Sequence, residues 1–344
     1  MKHINRAARA VLLSLCLAFS FTLQIDANAA ELHYGWQNVD GVKLFYREGG
    51  RKDAPTLVFL HGNPASSLQY EKVMEHLVDS QDLHVIAMDY PSFGYSDAPD
   101  RSKYHYTFDT VAKTVDRFLE LRGIHRYGLF MQDYGVPIGF RLIQAHPQQI
   151  TFLIVQNGVI HLDGFPNAQD ENGELRRHWR QRNPDLDRRR AEYRRSLGNV
   201  DEAMFMQEEE GPNPEALLLM VESAKRPGVI DARNDLWFDY GSNVLSYPKW
   251  QQALKDLSPP LLVIWGTRDT FFTTPGAYAY LKQVPKAEVH LLDSTHFATI
   301  EQPRLVSGLV SDFLDRLPLP VNPALGACAD HGGFRAQHCV PASR

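Results

Sequence analysis

Three side chains capable of acid, base or nucleophilic chemistry follow apolar runs in this chain, in the order Asp133, Asp269, His296. The run Tyr127 to Met131 leads through Gln132-Asp133-Tyr134-Gly135 into a segment of helical periodicity. A strand that turns sharply into a helix exposes the residue at the bend above the carboxyl edge of its sheet. Here that residue is a carboxylate, which is ionised at neutral pH and attacks a saturated carbon without a base. The product is an ester, which water can cleave; a serine in the same place would leave an inert ether. Cleavage needs a base to activate water and an acid to orient the base. Leu261 to Trp265 is followed by Gly266-Thr267-Arg268-Asp269, and Val289 to Leu292 by Asp293-Ser294-Thr295-His296. His296 is expected to take the proton from water while Asp269 holds its tautomer. Asp293 rivals Asp269 for that role, and His290, inside a strand, reads as core. An oxyanion hole is expected from the backbone N–H groups of Asn63, in His61-Gly62-Asn63-Pro64, and of Tyr134. His61 itself reads as structural, bonded to its own loop.

These residues need a frame. Thr56 to Leu60, His84 to Met88, Tyr127 to Met131, Phe152 to Gln156, Leu261 to Trp265 and Val289 to Leu292 read as strands. Tyr70, Val73, Met74 and Leu77 recur with helical spacing, as do Val111, Val115, Phe118 and Leu119 before Gly123, and a third helix passes Ile138 and Leu142. Alternating helices and near-continuous apolar strands predict an α/β fold, a mostly parallel sheet flanked by helices. Residues 163–247 break the alternation and are expected to form an inserted helical cap. The core is then 30–162 and 248–317, with 318–344 a peripheral tail. Residues 171–200 hold nine Arg against five Asp and Glu. The interleaved acids favour a solvated, ion-paired helical face over a nucleic-acid surface, so no nucleic-acid partner is expected.

The first 29 of the 344 residues differ from the rest: Lys2, Arg6 and Arg9, then an apolar run from Val11 to Ile25, then Ala27-Asn28-Ala29. This is the pattern of a cleaved signal peptide and predicts a periplasmic or secreted protein. Cleavage after Ala29 leaves 315 residues and takes the formal charge from −5 to −7. No further run is long enough for a membrane span in the mature protein. The composition excludes disordered, collagenous and small disulfide-framework classes. Cys328 and Cys339, alone in the tail, are expected to pair as a local disulfide, with free or metal-binding thiols as the alternative. No ligand set for a metal or an organic cofactor is evident.

Asp89-Tyr90-Pro91-Ser92-Phe93-Gly94, the His-Gly-Asn-Pro loop, the Asp133 elbow and the late Asp269 and His296 resemble the α/β-hydrolase superfamily. More narrowly, they resemble its haloalkane dehalogenase and epoxide hydrolase branch, over roughly residues 35–317. The resemblance implies the α/β-hydrolase fold and a small apolar organic substrate, with water as co-substrate. His61 to Ser67 resembles the dehalogenase loop, which implies halide displacement assisted by the Asn63 amide. The family's usual second halide donor, a Trp after the nucleophile, is Tyr134 here; Trp179 or Trp237 from the cap are substitutes to consider. Epoxide opening is the alternative, with Tyr193, Tyr240 and Tyr247 as candidate proton donors. A ligand-binding protein on a hydrolase scaffold is the reading from another class. The sequence leaves the oligomeric state open.

Overall fold

The computed structural model describes residues 31–166, 170, 172–196 and 214–319. The expected signal peptide, Cys328 and Cys339 lie outside the described residues. Eight strands form one sheet: β1 (His33–Val39), β2 (Val42–Gly50), β3 (Thr56–Leu60), β4 (His84–Met88), β5 (Tyr127–Gln132), β6 (Ile150–Gln156), β7 (Leu261–Gly266) and β8 (Glu288–Leu292). Their spatial order is β1-β2-β4-β3-β5-β6-β7-β8. Only β2 runs against its neighbours β1 and β4; every other pair is parallel.

All six strands expected from apolar runs are present within a residue or two. The β1–β2 hairpin is an addition. Its signal is Val39-Asp40-Gly41-Val42, where Asp40 and Gly41 take φ of 50° and 91°, the left-handed pair of a two-residue hairpin turn. His290 departs from expectation. Its strand, β8, is the sheet's edge, so 39% of the side chain is exposed and its Nε2 lies 3.7 Å from Glu288.

Inner strands alternate their side chains between two helical layers. Val58, Leu60, Leu129, Met131, Val155 and Val263 join one apolar cluster, and Leu57, Phe59, Phe130, Ile154 and Ile264 the other. The first layer holds α2 (Phe108–Leu121) and α3 (Gly135–Ala145); the second holds α1 (Glu71–Ser80) and α10 (Pro303–Leu314). The helices follow from spacing and caps. Thr107 accepts the N–H of Thr110 at the start of α2, and Gly123, at φ 70°, lets the chain leave it.

Between β6 and β7 the described residues contain no strand. They form α4 (Glu174–Arg180), α5 (Pro184–Ser196), α6 (Pro214–Lys225) and α7 (Val229–Leu257). The helix α7 continues through Pro248, so the expected division at residue 247 falls inside one element. Its last turns pack into the core, where Trp250 stacks on Phe140 with ring centroids 5.8 Å apart and donates to Gln144. Ala216, Leu219 and Met220 of α6 lie on Ala65 and Leu68, just past β3, and on Ile300 of α9 (Ala298–Glu301). The arginine-rich α5 is laced by Arg188 with Asp185 and Glu192, the solvated face that the interleaved charges imply. A short α8 (Pro275–Ala279) completes the helices. Among the described residues no helix is long and apolar enough to cross a membrane.

Candidate active site

The chain reverses its direction of winding between β3 and β5, so their carboxyl ends border a crevice. Asp133 stands there at φ 48° between β5 and α3. The tight bend needs small neighbours. A Cβ on Gly135 would sit 2.0 Å from the Leu60 carbonyl oxygen, and one on Gly62 would sit 2.4 Å from Asp133 Cβ. Asp133 Oδ1 accepts the N–H of Asn63 at 2.7 Å, and the carboxylate also accepts the N–H of Tyr134. The two expected oxyanion-hole donors therefore converge on the Asp133 carboxyl group, at the N-terminus of α3, where helix polarity favours negative charge.

His296 lies beyond β8, buried, with Nε2 3.7 Å from Asp133 Oδ2 and Nδ1 2.7 Å from Asp269 Oδ2. Asp269 also receives the N–H groups of Phe271 and Phe272 on Oδ1, at 2.7 and 3.1 Å. Its rival Asp293 is 88% exposed and pairs with Arg268, away from the imidazole. The loop before His296 is tied down by Thr295, which donates its N–H and hydroxyl to Glu301.

Environment sets the protonation states. Burial raises the Asp133 pKa above 3.8, and His296 with the two backbone N–H groups only partly offsets it. Burial works against an ionised Asp269 too, but His296 and the backbone donors win and hold its pKa below 3.8. For His296, burial opposes the charged form, while the Asp269 carboxylate outweighs it and raises the pKa above 6.5. His61 is fully buried, bonded through Nδ1 to Gly62 O and through Nε2 to the Tyr90 N–H, and burial lowers its pKa to about 4. It stays neutral and shapes the loop that carries Asn63.

Aromatic rings enclose the Asp133 side of the site. The Tyr134 ring packs on Phe108 and on Tyr240, at 4.9 and 5.9 Å between centroids. Trp179 stacks on Tyr240 at 5.4 Å and meets the edge of Phe165; Phe165 in turn meets Phe272, which touches His296. The buried indole Nε1 of Trp179 has no acceptor among the described residues. Tyr240 and Tyr247, one turn-pair apart on α7, bring their hydroxyl oxygens within 3.3 Å of each other. Burial raises both phenol pKa values, and the Asp133 carboxylate adds to each shift, so both lie within its field.

Other expected donors fall elsewhere. Trp237 stacks on His178 at 4.3 Å, and the Arg190 guanidinium also lies over its ring. Tyr193 is 60% exposed on α5. The phase of a helix relative to the core decides this, and the sequence does not carry it. Two polar residues went unforeseen. Asn157, at φ 39°, donates Nδ2 to Asp269 Oδ2 at 2.7 Å, while its carbonyl accepts the Asp133 N–H. Its Oδ1 accepts the Gly266 N–H, which fixes the amide's orientation. Gln132 contacts His296 directly. Gln132 at the end of β5 and Asn157 directly after β6, polar residues closing apolar runs, were the available signal.

The comparisons with known proteins agree with this architecture. The profile described as alpha/beta hydrolase fold matches residues 55–303. An uncharacterized hydrolase of Saccharomyces cerevisiae is 34% identical over 267 residues, covering 75% of this chain and 89% of its own. A haloalkane dehalogenase of Bradyrhizobium diazoefficiens is 37% identical over 107 residues, 31% of this chain and 33% of that enzyme. Among solved structures, a loop variant of a haloalkane dehalogenase from Bradyrhizobium elkanii superposes with a TM-score of 0.66 at 22% identity, covering 83% of this chain and 97% of its own. By its sheet, its elbow and these matches, the chain belongs to the α/β-hydrolase family and is a hydrolase, with partial sequence similarity to haloalkane dehalogenases.

Proposed function

We propose that this hydrolase opens epoxides to vicinal diols through an ester on Asp133. The observation that carries the reading is the buried Tyr240–Tyr247 pair in the field of that carboxylate. Asp133 Oδ1 is engaged by Asn63, which leaves Oδ2 to attack a ring carbon. The carbon–oxygen bond of the ring breaks, and the alkoxide takes a proton from one of the phenols. Raised phenol pKa values keep that proton available across the physiological range, and transfer to an alkoxide remains downhill. Water then adds to Cγ of the ester and passes a proton to His296 Nε2. The oxyanion forms on the oxygen facing the Asn63 and Tyr134 N–H groups. Collapse expels the diol oxygen, which takes the proton from His296. The proton left on Asp133 returns to the tyrosinate.

The enclosing rings of Phe108, Tyr134, Phe165, Trp179 and Phe272 suit a neutral, apolar substrate, since a charged one would lose its hydration against them. A second reading, halide displacement, is favoured by the acceptorless N–H of Trp179 together with the Asn63 loop. Mass spectrometry of a His296→Gln variant given styrene oxide or 1-bromohexane tests the choice. An adduct on Asp133 from styrene oxide alone, or much faster than from the bromide, is expected. An adduct from the bromide alone, lost in Trp179→Phe, would install the second reading. No adduct from either would overturn covalent catalysis. On residues 1–29 we also place the protein in the periplasm or outside the cell; Ala30 as the first residue of the purified native protein checks this.

A further inference from the structure

Gln132 and Gln156 are register partners on β5 and β6, so their side chains leave the sheet edge at one level. Both donate Nε2 to the backbone carbonyl of His296, at 3.2 and 3.1 Å. A carbonyl oxygen offers two lone pairs, and two amides fill them. Facing a carbonyl fixes which end of the Gln132 amide is nitrogen. The other end agrees, since its Oε1 faces Gln69 Nε2 at 3.5 Å. The second hydrogen of that same nitrogen is then left for His296 Nε2, 2.7 Å away. A donor at that distance requires a bare ring nitrogen, so the imidazole proton sits on Nδ1, toward Asp269.

We infer that Gln132 is a positioning residue for ester hydrolysis: it keeps His296 in its base-competent form and holds the place that water takes. The inference rests on the reading of His296 as the base. The charged groups around the imidazole all favour its protonation: Asp133 from the elbow, Asp269 from the loop after β7 and Glu301 from α9. The remaining neighbours, Phe271, Phe272 and Phe297, are rings. Besides burial, the Gln132 N–H is the group that opposes protonation at Nε2. A neutral imidazole nitrogen has one lone pair, so the amide and the hydrolytic water compete for it. In the resting site the amide occupies it. In the ester the amide rests on Nε2 until a water displaces it in the attack itself, adding its oxygen to Cγ and giving its proton to Nε2, while Gln132 keeps its bond to the His296 carbonyl. Release of the alkyl oxygen returns the proton and lets the amide close again.

Ester formation and decay are followed separately by rapid-quench mass spectrometry with styrene oxide across pH. In Gln132→Met the acid limb of decay moves upward by about 0.5–1 pH unit, the size of one neutral hydrogen bond. Ester formation at the plateau stays within about twofold, a bound well below one such bond's tenfold. Gln156→Met, which loses the carbonyl contact and a bond to Asn157 Oδ1 but touches no ring nitrogen, leaves the limb in place. Decay slowed equally at every pH, or a limb that moves downward, would overturn the inference. The resting wild-type protein gives a second reading without any substrate. Its His296 Nε2, assigned by ¹⁵N NMR against His296→Gln, is expected to be unprotonated and hydrogen-bonded at neutral pH, and a protonated Nε2 there overturns the inference. If no ester forms in the wild type, the covalent reading fails, and the nitrogen spectrum still decides the role of Gln132.

Discussion

The sheet edge and the helices between β6 and β7 meet around Asp133, and they hold their residues by different means. At the sheet edge each reactive group is fixed by several short bonds from elements packed on both faces. Asp269 alone accepts from His296, Asn157, Phe271 and Phe272. Among the inserted helices α6 and α7 bury apolar faces, whereas α5 is held more by surface ion pairs. The helix α5 buries Leu186 and Ala191 and otherwise relies on arginine–carboxylate pairs, each worth little in water. What each region contributes follows from this. In the mechanism proposed above, the steps that tolerate little displacement, nucleophilic attack and proton transfer, fall to the sheet edge, while the groups proposed to choose the leaving atom come from the insertion.

The comparison can be broken at several points. Asp133→Ala is expected to remove turnover by roughly 10⁴–10⁶-fold, as loss of a nucleophile does elsewhere, with the melting temperature nearly unchanged. A comparable loss from a helix surface residue would show the division of labour to be wrong. Replacing both Tyr240 and Tyr247 by Phe is expected to cost roughly 10²–10⁴-fold in ester formation from an epoxide. Ester decay, which belongs to the sheet edge, should be spared; equal losses in both half-reactions would merge the two regions. In the core, Phe130→Ala leaves a void between β5 and α1 and should cost about 3–5 kcal/mol by chemical denaturation.

Acid separates the regions further. Because the His296 pKa is raised above 6.5, the proposed ester hydrolysis is expected to fail first as pH falls, while the imidazolium 3.7 Å away offsets part of the burial that raises the Asp133 pKa. Ester should therefore accumulate in mildly acidic quench experiments. At lower pH the hairpin responds. Burial works against an ionised Glu48, but bonds from His84 and Arg122 prevail and lower its pKa to about 2. A depressed carboxylate stabilises the fold above its unfolded pKa and loses that contribution as pH falls from about 4.5 toward 2. Glu48→Gln should flatten this decline in urea titrations. The smallest effect is expected from Arg188→Ala on α5, a melting temperature indistinguishable from that of the wild type. A larger one would mean that the ion-paired face carries structure.

Much of this was legible in the chain itself. Five inner strands are fully or almost fully apolar and buried on both faces, and such runs announce themselves. Asp133 and Asp269 each follow one, and His296 follows the shorter apolar run of the edge strand β8, so their order could be read directly. The β1–β2 hairpin was harder, because Tyr34 and Trp36 are apolar yet exposed and blur the alternation. Gln132 and Asn157 were silent for a deeper reason. Their partners are set by register between strands and by where a distant loop returns, and neither is local. Trp179 and Trp237 illustrate the same limit on helices: one faces the site and the other His178, and only docking of α4 and α7 on the sheet decides which.

One feature bears on how such an enzyme changes over generations. The helix α7 carries Tyr240 and Tyr247 toward the nucleophile and, three residues on, plants Trp250 against Phe140. A methyl group gained or lost beneath that indole is expected to shift the rod, and the phenols with it. Preference among substrates is thus inherited partly through positions that never meet a substrate. A breeder of new activities who varied only the walls of the pocket would be tuning the strings and leaving the bridge untouched.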